Sequence, residues 1–312
     1  MAPNLFRFAT KELTQDAFIC WLLAWADQEC AVEDRALNML GLALVNQILE
    51  MHGVSRLTAP INVKVHRQLM RADVVAEVGD GLVILIEDKV HAGLHGDQLV
   101  RYRRQIEEKF SGKKIIPVFL KTGDQSSYRE VEDAGYRLLL RDHILGLLRP
   151  WKGQTLNSIF VDFLDNLEWR EAQVGSYATR PVSAWGDESW IGFCKRLKRD
   201  LPGEVELEYV PNASGGFLGL WWNTKGWADP NTGVEHSVYL QIEEGPLCFK
   251  IGVNGKDVDR SVLRERWHAQ LATTARNMGT DVPLPARMFR GSSMTVGKIE
   301  LKHWMAQHQD GR

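Results

Sequence analysis

The sequence predicts a mixed α/β fold (α+β in its layering), a mixed sheet flanked by helices, followed by a second α+β domain. Three observations predict it. Apolar residues recur at helical spacing up to about residue 52, and strand-like runs then fill the stretch from Ile61 to Val90. Helix and strand patterns alternate from there to about 169, as in a layered α/β domain. After a Gly/Ser/Pro-rich break the character changes to short runs punctuated by glycine and rich in tryptophan.

Taken in order, residues 11–30 read as a helix with Thr10 as its N-cap. Leu13, Ala17, Trp21 and Trp25 form its stripe, widened by Phe18 and Leu22. A second helix over 34–52 carries Leu37, Leu40, Leu44 and Ile48 and stops at Gly53. Strands are expected at Ile61–Leu69, Ala72–Val78 and Leu82–Val90. The continuous apolar run Leu82–Ile86 suits a strand covered on both faces. A helix from Asp97 to Phe110 places Leu99, Tyr102 and Ile106 on one side; strands at Ile115–Leu120 and Tyr136–Leu140 and a helix over 155–169 complete the domain.

The break at about 171–187 separates a first domain, 1–172, from a second, 187–312. In the second, Val205–Val210, Phe217–Asn223, Val238–Glu243 and Cys248–Val253 read as an antiparallel sheet, with a helix near 259–278. A chain of 312 residues accommodates two such domains.

Composition excludes several classes. With 44% hydrophobic and 25% charged residues, long disorder is not expected. A net charge of -2 gives no global signature for nucleic acid, so such a partner would need a local basic surface. Cys20, Cys30, Cys194 and Cys248 lack the close pairing of a zinc site. The N-terminus does not read as a signal peptide, and no apolar run approaches the roughly 20 residues of a membrane span. A cytoplasmic protein with reduced thiols is expected.

The chemistry concentrates in Asp73 and in Glu87-Asp88-Lys89. Side chains alternate along a strand, so Glu87 and Lys89 share one face and Asp88 takes the other. Unpaired charges at the end of an apolar strand would cost several kcal/mol, about the penalty for buried ions, so a purely structural role is a poor fit. If Gly79-Asp80-Gly81 forms a three-residue loop, Asp73 lies opposite Glu87; a two-residue loop would turn it away. Two carboxylates, with the carbonyl of Asp88, supply hard oxygen ligands for Mg²⁺ or Mn²⁺. Such a cation polarises a phosphodiester, and Lys89 would orient water or stabilise developing negative charge.

An aspartate, a hairpin, then Glu-x-Lys on an apolar strand resembles the PD-(D/E)XK nuclease superfamily, with Ala72 in place of the usual proline. The fold implied is restriction-endonuclease-like. Gln98 and Tyr102 resemble the Gln-x-x-x-Tyr element of the RecB-like branch, where those residues flank the active centre. Together with Lys11–Asp16 and the run Trp21-Leu22-Leu23, the arrangement looks like a bacterial group linked to genome defence. The resemblance covers roughly residues 5–150. It implies a catalytic set of Asp73, Glu87, Lys89, Gln98 and Tyr102, and a metal set of Glu12, Asp73, Glu87 and Asp88. Glu12 is the additional carboxylate that related nucleases take from the first helix, with Asp16 one turn away as the spare; acids in a first helical turn also simply complement the helix dipole. The partner implied is nucleic acid, DNA ahead of RNA, with no membrane partner; a homodimer stays open. The alternatives are a catalytically inactive nucleic-acid-binding module and a nuclease gated by a C-terminal sensor domain.

Other features have plainer readings. His91 and His95 read as loop histidines, not metal ligands. The basic runs Arg101, Arg103, Arg104, Lys109 and Lys195, Arg196, Lys198, Arg199 suit either phosphate contacts or solvated helix faces. Of Trp185, Trp190, Trp221, Trp222, Trp227, Trp267 and Trp304, most are expected in the core, although such rings also stack bases.

Overall fold

The computed structural model describes residues 3–9, 11–58, 60–90, 96–211, 216–229, 233–243, 245–253, 259–285 and 291–300. Thr10, His91, His95 and Trp304 lie outside the described residues. The chain divides into two compact units, Met1–Gln173 and Val174–Arg312.

The first unit runs α1 (Leu5–Phe8), α2 (Glu12–Ala24), α3 (Arg35–Met51), β1 (Val63–Leu69), β2 (Ala72–Val78), β3 (Leu82–Lys89), α4 (Gln98–Lys109), β4 (Lys114–Lys121), α5 (Arg129–Asp133), β5 (Arg137–Leu140), α6 (Arg141–Leu148) and α7 (Ser158–Val174). Its sheet has the order β1-β2-β3-β4-β5. The first three strands form an antiparallel meander, and β4 and β5 add in parallel to β3. A parallel neighbour needs a crossover, which α4 supplies.

Alternation along the strands divides the core in two. Val74, Ala76, Ile84, Ile86, Val118 and Leu120 pack on one face with α2, α3 and α7. Val75, Val83, Leu85 and Phe119 pack on the other with Leu99 and Ile106 of α4. The expected α3 residues Leu37, Leu40, Leu44 and Ile48 are all buried, each stabilising the fold by about 1.5–3 kcal/mol. Asp34 caps that helix through the Leu37 amide at 3.0 Å.

The stripe expected on α2 is corrected. Leu13 and Ala17 are exposed, while Gln15, Asp16, Phe18, Ile19, Leu22 and Leu23 form the buried face. The pattern misled because two polar residues sit inside, where they satisfy polar groups of the sheet. The expected helix over 11–30 is also shorter. It ends at Ala24, because the Asn38 side chain takes the carbonyls of Trp25 and Asp27 at 2.8 and 2.9 Å and the chain continues as a 3-10 turn over Gln28–Val32. The helix expected over 155–169 instead runs on to Val174.

The second unit contains α8 (Asp187–Asp200), β6 (Val205–Val210), β7 (Phe217–Ala228), β8 (Glu235–Glu243), β9 (Leu247–Val253), α9 (Arg260–Asn277) and β10 (Ser293–Ile299). Its strands form an antiparallel sheet in the order β10-β9-β8-β7-β6. Strand β10 was not foreseen: its short run Ser293–Ile299 holds two apolar core residues, Met294 and Val296, and its register shifts between Thr295 and Gly297. Trp190 and Trp222 pack on the core beside α8 and Trp267 on that beside α9, whereas Trp227 is exposed.

Candidate active site

The β2–β3 hairpin sets the geometry. Val78 pairs with Leu82 across a three-residue loop, with Gly79 in the left-handed region at φ +55°. The same register pairs Val74 with Ile86, which places Asp73 opposite Glu87 and on its face. Asp73 Oδ2 accepts the Asp88 amide at 2.9 Å and lies 3.5 Å from Lys89 Nζ. Lys89 Nζ donates to Glu87 Oε1 at 2.5 Å and to the Asp88 carbonyl at 2.9 Å. From α4, Gln98 Nε2 donates to the same Glu87 oxygen. Asp73, Glu87, Lys89 and Gln98 are thus brought together.

The hairpin before Asp73 is unusual in its backbone. Leu69 pairs with Ala72, and the two residues between them, Met70 and Arg71, both adopt positive φ, as a tight two-residue turn requires. Gln68, across from Asp73 in that register, also has φ +54°. Left-handed backbone at non-glycine residues stores strain, and here it gathers beside Asp73.

Glu12, at the start of α2, accepts the Val90 amide at 3.2 Å. Helix α2 therefore delivers a carboxylate to the end of β3. Tyr102 stands one turn after Gln98 on α4, half-buried, with the Arg101 guanidinium 5.3 Å from its ring centre. The Asp88 side chain points to the other face of the sheet, where Gln15 donates to its Oδ1 and Thr122 donates to Gln15 in turn. Only the backbone of Asp88 belongs to the Glu87 and Lys89 side. Its Oδ2 and the Asp16 Oδ1 are buried without a hydrogen-bond partner.

Electrostatics follow from this enclosure. Glu87 is 2% exposed; burial, then the charge of Asp73, pushes its carboxyl up to about 7. Burial pulls Lys89 down, but Glu87, Asp73 and Glu12 outweigh it and hold the ammonium above its ordinary value. Behind the strand, burial raises Asp16 to about 6, and burial with the neighbouring Asp16 holds Asp88 well above the carboxylate range. Cys20 beside them is pushed up to about 11, chiefly by burial.

A residue the sequence reading passed over is Lys121. It ends β4, pairs in register with Lys89, and is 1% exposed. Burial, with Lys89 adding to it, lowers its ammonium to about 8 against the pull of Glu12. The available signal was a lysine closing an apolar strand, as Lys89 does. The basic run on α4 is largely neutralised: Arg101, Arg103 and Arg104 each meet an acid four residues away, Asp97, Glu107 and Glu108. Arg196 and Arg199 both meet Asp200.

The donor set suits a hard divalent cation. Asp73 and Glu87 offer carboxylate oxygens on one face, and the upward shift of Glu87, caused first by burial and then by the charge of Asp73, is one that a bound cation would offset. Among the described residues, no group of three His, Cys, Asp or Glu side chains is placed to hold a metal ion. A broad cleft of about 1990 Å³, lined by Trp221, Tyr239, Gln241 and Lys250 among others, belongs to the second unit and includes none of these residues.

A sheet whose central hairpin carries opposed carboxylates and a lysine, covered by the crossover helix, defines the class of nucleases with the restriction-endonuclease-like fold. The chain belongs to the PD-(D/E)XK nuclease superfamily: the family model of that description matches residues 3–179. Neither a curated protein nor a solved structure gives a match. Among the described residues, no helix is long and apolar enough to cross a membrane.

Proposed function

We propose that the protein is a divalent-cation-dependent nuclease that hydrolyses phosphodiester bonds in DNA, with its active centre at Asp73, Glu87 and Lys89. The observation that carries this reading is the convergence of those three side chains and Gln98 on one face of the sheet. Superfamily membership supports the reaction class, and the preference for DNA follows the resemblance alone.

Asp73, Glu87 and the Asp88 carbonyl would hold Mg²⁺ or Mn²⁺, with Glu12 as the further carboxylate at the strand end. When bound, the cation supplies charge neutralisation at the phosphate and a lowered pKa for water. The protein's own groups do the rest. Lys89 holds a positive charge where negative charge develops, and its tie to Glu87 fixes its position. Gln98 donates to Glu87 and so keeps one carboxylate oxygen aimed. Tyr102, a turn further along α4, is assigned to the substrate side of the centre. To the second unit we assign target or partner selection, for which its large cleft is the support.

The test is cleavage of DNA and RNA oligonucleotides with Mg²⁺ or Mn²⁺, comparing the wild type with Lys89→Ala. Cutting of DNA that Lys89→Ala loses by about 10²–10³-fold, with folding retained, supports the reading. DNA binding without metal-dependent cutting in the wild type would favour the inactive binding module.

A further inference from the structure

We propose that the cleft face of the second unit's sheet binds an unpaired base of single-stranded nucleic acid, with Trp221 as stacking surface and Gln241 reading the base edge. This deepens the assignment of target selection to that unit, and rests on the nuclease reading for the choice of nucleic acid. Alternation gives the sheet two different faces. Leu220, Ile242, Ile251 and Met294 pack on one with α8 or α9. The other lines the cleft of about 1990 Å³. There Trp221 of β7 pairs with Gln241 of β8, which pairs in turn with Cys248 of β9. Tyr239, two residues before Gln241, and Phe217, four before Trp221, project to the same side. Three half-buried aromatic rings thus share this face with one carboxamide.

Burial makes Gln241 informative. It is 5% exposed, and no hydrogen bond joins its carboxamide to a described residue. An enclosed amide without a partner is unfavourable. His236 of the same strand, 6% exposed, shows the ordinary solution: its ring nitrogens meet the Val234 carbonyl at 3.0 Å and the Trp267 indole N–H at 2.8 Å. Gln241 instead presents a donor and an acceptor to the cleft that it lines, and that pair matches the adjacent acceptor and donor on a base edge.

The surroundings suit a flat, uncharged group. Gly219 lies between Phe217 and Trp221 on this face, and a Cβ there would stand 3.2 Å from Trp221 Cζ3 and 3.3 Å from Phe217 Cε2. Glycine therefore lets both rings come down close to the strand. The Tyr239 hydroxyl is bonded to Ser293 Oγ at 2.6 Å, which fixes the third ring. Of the lysines lining the cleft, Lys250 is held by Glu243 at 2.7 Å and Lys298 by Glu300 at 3.1 Å. Their charges are already paired, so the base and not the phosphate is the part that enters. An unpaired base offers both a π face and a donor–acceptor edge, which a duplex keeps stacked and paired.

The experiment uses the full-length protein in EDTA, with labelled oligo(dA), oligo(dC) and oligo(dT) of about 12 nucleotides and a duplex of mixed sequence. Fluorescence anisotropy over a salt series compares wild type, Trp221→Ala and Gln241→Leu. We expect the wild type to bind single strands more tightly than the duplex, and one base above the others. Trp221→Ala should weaken single-strand binding by about 5- to 100-fold with an unchanged salt slope, because it removes stacking and no phosphate contact. Gln241→Leu should abolish the preference among bases, a loss of about 5- to 100-fold for the favoured one. It should unfold at no lower temperature than the wild type, since an apolar side chain replaces an unbonded amide. That variant keeps the test decisive if Trp221→Ala does not fold. Absence of single-strand binding by the wild type overturns the proposal, as does a base preference unchanged in Gln241→Leu. Lower stability of Gln241→Leu with that preference intact assigns Gln241 a structural role and also overturns it. Cleavage in Mg²⁺ is read separately: its absence in the wild type overturns the nuclease reading, while a base preference lost in Gln241→Leu still supports the base site.

Discussion

Glu87 should make the metal-free protein less stable as the solution becomes more alkaline, and Glu87→Gln should remove that dependence. Its carboxyl is raised to about 7, first by burial and then by Asp73. A raised carboxyl favours the folded state while it remains protonated in the fold. That advantage is complete below the unfolded value near 4.5 and is lost as pH rises through about 7. The shift amounts to about 3 kcal/mol, of which about 2 kcal/mol falls between roughly pH 5.5 and 8.5. At 2% exposure the group has little water to screen it. For a unit of this size that difference is roughly 4–8 °C in melting temperature. The assay is thermal and urea unfolding in EDTA at both pH values, for wild type and Glu87→Gln. All other titrating groups are common to the two proteins, so the difference of differences isolates Glu87. An equal loss of stability in both proteins would refute the enclosed, repelled carboxyl on which the proposed cation site depends.

Two further outcomes test how the site is supported. Asp88→Asn should keep cleavage within a few-fold of wild type and should be at least as stable at pH 8 by urea unfolding, because the amide still accepts from Gln15 and can donate to Asp16. A large loss of cleavage would instead make the Asp88 carboxylate part of the centre. Gly41→Ala should destabilise by about 2–3 kcal/mol, or prevent soluble folding, since its Cβ would stand 2.5 Å from the Ala26 nitrogen and 2.7 Å from the Leu22 carbonyl oxygen. Circular dichroism melting checks this, and a neutral result would mean that α2 and α3 separate easily.

The strands of the β2–β3 hairpin were legible because local chemistry specified them, and their register followed once the loop between them had three residues. The apolar run Leu82–Ile86 marks a strand buried on both faces, and the glycines around Asp80 permit the loop that aligns Asp73 with Glu87. The buried face of α2 was not legible. Reading apolar spacing alone selects Leu13 and Ala17, whereas Gln15 and Asp16 lie inside because Asp88 and Thr122 await them from strands far along the chain. Such a partnership is invisible until the topology brings residues 15, 88 and 122 together. Lys121 escaped notice for the same reason: its register partner Lys89 lies on a strand more than thirty residues earlier. Strand β10 gave little warning, since an edge strand of seven residues with a bulge has a weak period-two pattern.

The pleat of β3 then explains why one tripeptide serves two purposes. Glu87 and Lys89 face α4, while Asp88 between them faces α2 and lies close to the charge of Asp16. The Asp88 backbone nevertheless bonds to residues of the Glu87 face, giving its amide to Asp73 and its carbonyl to Lys89. Anchoring the side chain behind the sheet therefore fixes the peptide groups in front of it. A shift of α2 would move the Asp88 backbone, and with it the separation of Asp73 from Lys89, without touching either residue. Precision at the carboxylate pair thus depends on a polar contact on the opposite face, which is the physical reason for burying acids where apolar residues would pack at lower cost.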